Sequence, residues 1–427
     1  MYGRVACAAI QCQLYHRYDY AESRKDPAQI PYFKQLYLYR LLCPASDSAP
    51  AQKASTRELM SDLFRNIILN NTPLLDVRAP VEFRKGTLPN AVNIPLLDDR
   101  QRHKVGVAYK EQGQQQAIAL GEKLIDSEQR AERISLWQSF ASSNPTAYLF
   151  CFRGGLRSKT TQQWLAQSGV ELPLIPGGYK AVRQYLIQQI ESLSASNTFV
   201  LLGGRTGSGK TLLLQDIPAH IDLEALAHHR GSSFGATTTP QPGNINFENA
   251  IASALLKLHQ QQQSVITLED EGRMIGSVCI PEALRNKMLE SPIVLLEEPA
   301  DVRVRISRAA YIDELIDAYQ MQLGDSGLEA FANHHRNALD KITRRFGSEH
   351  KTRARDLFDT ALKAYARSQS TTAFDDYVEL LLLKYYDPMY DYQLKKKMNR
   401  VVFRGSAAAV RQWYEAGSAA NAAAHGQ

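Results

Sequence analysis

Residues Ala147 to Lys159 read AYLFCFRGGLRSK, and their types and order could do thiol chemistry. Ala147 to Phe150 is a short apolar run that suits a buried strand, and Cys151 stands at its end. A loop with Gly154 and Gly155 follows, and Ser158 is placed to cap a helix running to about Ser168. A cysteine at a strand end, wrapped by a glycine loop that opens a helix, makes a cradle for a thiolate. Loop N–H groups would converge on the sulfur, and the helix N-terminus favours negative charge there. Arg153 and Arg157 add positive charge. The spacing Cys151-x5-Arg157 leaves a loop wide enough for a tetrahedral oxyanion beside the sulfur. Cys151 is therefore expected to be a reactive nucleophile with Arg153 and Arg157 as its partners, rather than a merely buried thiol.

A second constellation begins at TFVLLGGRTGSGKTLLL. Phe199 to Leu202 reads as a strand and Lys210 onward as a helix. Between them Gly204-x4-Gly209-Lys210-Thr211 is a phosphate-binding loop in its required context. Gly204, Gly207, Ser208 and Gly209 let backbone N–H groups wrap phosphate oxygens, Lys210 supplies a point charge, and Thr211 can ligate Mg²⁺. Any diphosphate ester satisfies these donors. The strand Val265 to Leu268 ends in EDEGRMIG. Acids there suit the metal-facing partner of a phosphate loop, with Glu269 or Asp270 in that role and Glu271 and Arg273 lining the pocket. In IDLEALAHHRGSSFG, the residues Asp222, Glu224, His229 and Arg230 crowd together as further pocket candidates. A plain helix start capped at Asp222 is the competing reading.

These groups need elements to position them. A chain of 427 residues, 44% hydrophobic and 22% charged, is a globular composition too long for one ordinary core. The net charge of +6 permits a nucleic-acid partner. Cys7, Cys12, Cys43, Cys151 and Cys279 share no spacing that gives a disulfide framework or a zinc site, so a reducing cytoplasm is expected. No apolar run approaches a membrane span, and the first residues do not read as a signal peptide. Residues 1–55 read as a poorly ordered extension. Residues 56–195 form a first α/β domain, with a helix at STRELMSDLFRNIIL, strands at Leu74–Val77 and Ala91–Ile94, one helix over Gln115–Phe140 and another over Tyr179–Ser192. SLSASN reads as a Ser-rich linker. Residues 196–300 form the phosphate-loop α/β domain, residues 301–416 a helical basic region, and residues 417–427 a disordered tail. HHRNALDKITRRFGSEHKTRAR is a strongly basic run, and in YYDPMYDYQLKKKMNRVVFRG tyrosines alternate with Lys395, Lys396, Lys397, Arg400 and Arg404, a composition that suits RNA.

LLDVRAPVEFRKGTLPNAVNIPLL, the cysteine loop and PGGYKAVR together resemble a rhodanese domain, whose cysteine carries a transferable chalcogen. The active loop has the longer Cys-x5-Arg form of phosphatase-like relatives, which points to a donor bearing a phosphate-like group. The order CFRGGLRS, GGYKAVR, GGRTGSGKT, DLEALAHHRGSSFG, LEDEGRMIG, YYDPMY and VVFRG resembles the tRNA 2-selenouridine synthase family from about Thr72 to Gly405. The resemblance implies an N-terminal rhodanese-like α/β domain followed by a P-loop NTPase-like α/β domain with a helical C-terminal region. It implies exchange of sulfur for selenium in wobble 2-thiouridine of tRNA, through S-geranyl-2-thiouridine, with geranyl diphosphate and selenophosphate as donors. It also implies no tightly bound cofactor, with Mg²⁺ if used held by Thr211 and Glu269 or Asp270. An ATP-dependent tRNA sulfurtransferase with a persulfide on Cys151 is the competing enzyme. A nucleotide-sensing adaptor and a phosphatase are weaker readings.

Overall fold

The computed structural model describes residues 56–263, 265–419 and 422, which belong to one compact unit. The expected extension at 1–55 and most of the expected tail at 417–427 lie outside the described residues, as do Cys7, Cys12 and Cys43.

The first layer runs α1 (Thr56–Leu69), β1 (Leu74–Asp76), α2 (Pro80–Lys85), β2 (Ala91–Asn93), α3 (Asp99–Gln112), α4 (Gln114–Leu124), α5 (Ser127–Ser143), β3 (Tyr148–Phe150), α6 (Leu156–Gln167) and α7 (Gly178–Ser196). Its strands form a parallel sheet in the order β2-β1-β3, and Leu174 bridges Leu149 at the edge. Alternate residues of a strand face opposite sides. Leu74, Tyr148 and Phe150 accordingly enter one core with α1 and α7, while Leu75, Leu149 and Cys151 enter another with Trp137 and Leu165. The single helix expected over Gln115–Phe140 is two, because the Asp126 side chain accepts from Gln129 N at 2.8 Å and caps a new start.

The second layer runs β4 (Thr198–Gly204), α8 (Lys210–Leu214), β5 (His220–Ile221), α9 (Leu223–Leu226), α10 (Asn244–Gln260), β6 (Val265–Glu269), β7 (Met274–Ile275), β8 (Val278–Cys279), α11 (Glu282–Glu290) and β9 (Ile293–Leu296). β7 and β8 are a small antiparallel hairpin. The main sheet is parallel throughout, in the order β10-β9-β4-β6-β5, with β10 (Val401–Gly405) arriving from the C-terminal region before the last helix, Ala407–Glu415. β4 is buried on both faces, as its unbroken apolar run requires. Between β9 and β10 lie α12 (Ala300–Arg308), α13 (Glu314–Leu323), α14 (Gly327–Phe346), α15 (Ser348–Ser368), α16 (Asp375–Leu381) and α17 (Asp387–Lys395). Two wide π-helical turns, Ala309–Asp313 and Leu382–Tyr386, interrupt them. The helices close over a core that includes Phe331, Phe358 and Phe374.

The expected Ser-rich linker is the last turn of α7, where Leu193 and Ser194 are buried. One apolar cluster holds Leu74, Phe150 and Val182 together with Phe199, Leu201, Phe247 and Ile251, so the two sheets share a core. Thr87 ties them further: its N–H donates to Asn246 Oδ1 at 2.9 Å, and its carbonyl accepts from Asn249 Nδ2 at 2.6 Å.

Candidate functional site

Cys151 leaves the end of β3 and enters a loop held from behind by the GGYK turn. Tyr179 N donates to Cys151 O at 2.9 Å and Lys180 N to Phe152 O at 3.0 Å. The fit depends on glycine. A Cβ on Gly178, whose φ is +59°, would stand 2.3 Å from Cys151 O and 2.5 Å from Gly154 N. Asp76 and Arg78 brace the same corner as a buried ion pair at 2.6 Å, with Arg78 3.9 Å from the centroid of the Tyr179 ring.

The surroundings of the sulfur differ from the expected cradle. Cys151 is 3% exposed, and its Sγ lies 3.2 Å from Ser158 Oγ and 4.0 Å from Gly155 O, a hydroxyl and a carbonyl rather than converging N–H groups. Ser158 is not the helix cap. Gly155 holds that position, and Ser158 sits in the first turn donating to Gly155 O at 3.0 Å. Arg153 is exposed over the Phe152 ring. Arg157 gives both guanidinium edges to Glu82, with Nη2 at 3.1 Å from Oε1. Burial works against the Arg157 charge, but the hydrogen bonds and charge of Glu82 outweigh it and hold the guanidinium above its ordinary value. Burial likewise opposes ionisation of Glu82, and Arg157 overrides it to bring that carboxyl below its usual range. Glu82 has no local motif and lies 75 residues from Arg157, so sequence reasoning missed it.

The phosphate loop joins β4 to α8. Gly207 and Gly209 have φ of +79° and +85°, a region that favours glycine. Lys210 Nζ donates to Gly204 O at 3.0 Å, drawing the lysine across the loop. Ser208 Oγ is buried without a hydrogen-bond partner. Thr211 Oγ1 lies 3.1 Å from Glu269 Oε1 and 3.5 Å from Glu224 Oε2. Of the two expected metal-facing acids, Glu269 therefore meets Thr211, while Asp270 is held by Lys397 at 2.7 Å. Glu271 lines the same cavity, and Gly231 closes over it: a Cβ there would be 2.2 Å from Glu224 Oε1 and 2.9 Å from Glu271 Oε1. Burial and then the charges of Glu269 and Glu271 push Glu224 up to about 9. Burial and then Asp222 and Glu271 push Glu269 up to about 7. Burial raises Glu271 as well, and the Lys210 charge counters each rise. This is a strongly anionic corner that stabilises protons or cations. Its oxygen donors fit a hard divalent cation, although no group of three or more His, Cys, Asp or Glu is arranged to hold a metal among the described residues.

The other candidates divide. Asp222 lines the cavity but also caps α9, accepting from Ala225 N at 2.8 Å, so the plain reading of that residue holds too. His229 lines the cavity with Nδ1 buried and unpartnered, and burial lowers its pKa, with help from His334 and Lys341. Arg230 lines it while bonded to the Ala310 carbonyl and Glu314. Arg273 does not: it is exposed on the way into the β7–β8 hairpin, and its carbonyl pairs with Ile280 N. The cavity measures about 870 Å³. Tyr311, Arg345, Tyr385, Tyr386 and Met389, contributed by the helical region, also line it. The sequence set Arg345 in a basic run and YYDPMY in an aromatic and basic one suited to RNA, without placing either at this cavity, and gave Tyr311 no role.

Comparison with known proteins places two family models on the chain. A tRNA 2-selenouridine synthase AAA domain matches residues 197–421, and a rhodanese-like domain matches residues 60–185. The chain is similar to the tRNA 2-selenouridine synthase of Marinobacter nauticus, at 46% identity over 83% of this chain and 96% of that protein. It is similar to the tRNA 2-selenouridine synthase of Shewanella halifaxensis at 43% identity, over 84% of this chain and 99% of that one. A protein of the same description from a Sulfurovum species is 43% identical over 81% of this chain and 94% of its own length.

Proposed function

The chain belongs to the tRNA 2-selenouridine synthase family, and from that membership we propose that it forms 2-selenouridine in tRNA. The substrate base is wobble 2-thiouridine, and the donors are geranyl diphosphate and selenophosphate. The carrying observation is that one compact unit holds a thiol beneath a glycine loop and, apart from it, a phosphate loop facing carboxylates.

Thiocarbonyl sulfur is a poor leaving group. The base sulfur first attacks the geranyl C1, the C–O bond breaks, pyrophosphate leaves and the base gives up its N3 proton. The phosphate-loop N–H groups, including those of Gly207, Ser208 and Gly209, grip that diphosphate with Lys210, a preorganised clamp for the departing charge. Where Mg²⁺ is used, Thr211 and Glu269 would hold it, and its charge would offset that of the departing diphosphate. Selenium then adds at C2 of the alkylated base, geranyl thiol departs, and water takes the phosphate from selenium. Cys151 assists selenophosphate in this step, its thiol beside the selenium as the base is attacked, and Arg153 and Arg157 receive the phosphate end. Because Cys151 is covered, the loop at 152–157 opens to admit the donor, and Arg157 exchanges Glu82 for it.

The test is nucleoside mass spectrometry of thiolated tRNA incubated with the protein and both donors, omitting each in turn. Cys151→Ser blocks selenium incorporation and lets S-geranyl-2-thiouridine accumulate, while Lys210→Ala lowers geranyl transfer on the order of 100-fold. Equal loss of both steps in a folded Cys151→Ser protein refutes the division of labour. Turnover of ATP stimulated by tRNA, with sulfur transfer, would replace it with the sulfurtransferase reading.

A further inference from the structure

The two basic runs of the helical region meet at the rim of the phosphate-loop cavity. Arg345, near the end of α14, lines the cavity, and its Nη1 lies 3.6 Å from the Met389 sulfur on α17. The next residue, Phe346, packs edge-on against Tyr385 with centroids 5.9 Å apart. α17 turns one side to the cavity through Met389, Tyr390, Gln393 and Leu394. It also carries Tyr392, which is 63% exposed, and leads through the exposed Lys395 and Lys396. Lys396 Nζ stands 4.3 Å from the centroid of the Tyr392 ring. The third lysine of that run, Lys397, points inward to Asp270.

An exposed aromatic ring with a lysine over one face, on the helix that lines the cavity by its other side and meets Arg345 through Met389, matches single-stranded nucleic acid. Bases stack on such rings and phosphates meet such cations. A protein partner would call for a broader apolar patch, and lysines flank Tyr392 instead. We propose that Tyr392 is a stacking platform for an unpaired anticodon-loop base beside the target nucleoside, with Lys395 and Lys396 on the adjoining phosphates. The proposal rests on the tRNA reading above and assigns the surface by which that substrate is held.

The experiment measures binding of tRNA bearing wobble 2-thiouridine to the full-length chain between 50 and 200 mM salt. Tyr392→Ala weakens binding about 10-fold, the loss of one stacked base, while Tyr392→Phe stays within about twofold. Replacing Lys395 and Lys396 together by Ala lowers the slope of log K against log salt by about 1.4, roughly 0.7 for each single-strand phosphate contact. Inorganic pyrophosphate binding, measured on the same proteins, stays at the wild-type value and reports an intact fold and phosphate loop. Wild-type tRNA affinity in a folded Tyr392→Ala protein overturns the platform, and so does a Phe variant as weak as Ala. Failure of the wild-type chain to bind the tRNA at all would instead remove the functional reading beneath it.

Discussion

His335 has both ring nitrogens engaged inside the helical core, Nδ1 at 3.0 Å from the Tyr377 hydroxyl and Nε2 at 3.1 Å from the Tyr311 carbonyl. Burial, aided by the charge of neighbouring His334, pushes its pKa down to about 3. A histidine depressed in this way takes up its proton on unfolding. The stability it contributes is therefore complete above about pH 6.5 and is lost as pH falls toward 3. Between pH 6.5 and 4.5 this one residue should cost about 1.4 kcal/mol per pH unit. Urea melts across that window should show the slope in the wild type and a shallower one in His335→Gln, and parallel slopes would contradict it. The same scale separates what the chain reveals by itself from what it hides. Cys151 and Lys210 are legible because their loops are contiguous in sequence. Glu82, which occupies Arg157, and Lys397, which occupies Asp270, are not, because each ion pair joins residues far apart in the chain.

The GGYK turn at the start of α7 shows how an element can govern a residue it does not contain. Gly178 backs directly onto the cysteine loop, where φ and the 2.3 Å approach to Cys151 O both require glycine. Gly178→Ala should displace that loop, with local strain of about 1–3 kcal/mol. Selenium incorporation should fall at least about 10-fold, the order expected for 1.4 kcal/mol or more, while geranyl transfer stays within about twofold. Nucleoside mass spectrometry separates the two products, and equal losses would mean that the turn serves the whole molecule instead. The helix that starts at PGGYK was readable, and so was TGSGKT as a strand-to-helix loop, because glycine and proline act through local backbone freedom. SLSASN misled for a related reason. Serine favours loops by composition, but here tertiary burial of Leu193 and Ser194 continues the helix. β10 escaped notice because its pairing partner, β9, precedes it by a whole helical region.

The core shared by the two sheets sets the behaviour of the whole molecule. Phe150 and Val182 of the first layer lie in one apolar cluster with Phe199 and Phe247 of the second. The two layers should therefore unfold together. In a Trp413→Phe background, the fluorescence of Trp137 and Trp164 reports the first layer, and loss of pyrophosphate binding reports the second. Coincident urea midpoints are expected, and two separated transitions would show that the common core does not bind the layers. Fold class was legible from alternating strand and helix patterns, whereas this union was not, because long-range packing leaves no periodicity of its own. α7 sharpens its meaning. One unbroken helix of 19 residues starts behind the thiol and ends one residue before the strand that carries the phosphate loop. The cavity at that loop draws every lining residue from position 204 onward. The thiol loop and the phosphate loop are thus bolted to a single frame, with a rod where a hinge would have to be. On the two-step reading proposed above, a nucleoside that needs both sites would travel between them, while motion of the protein would be local to the loop over Cys151.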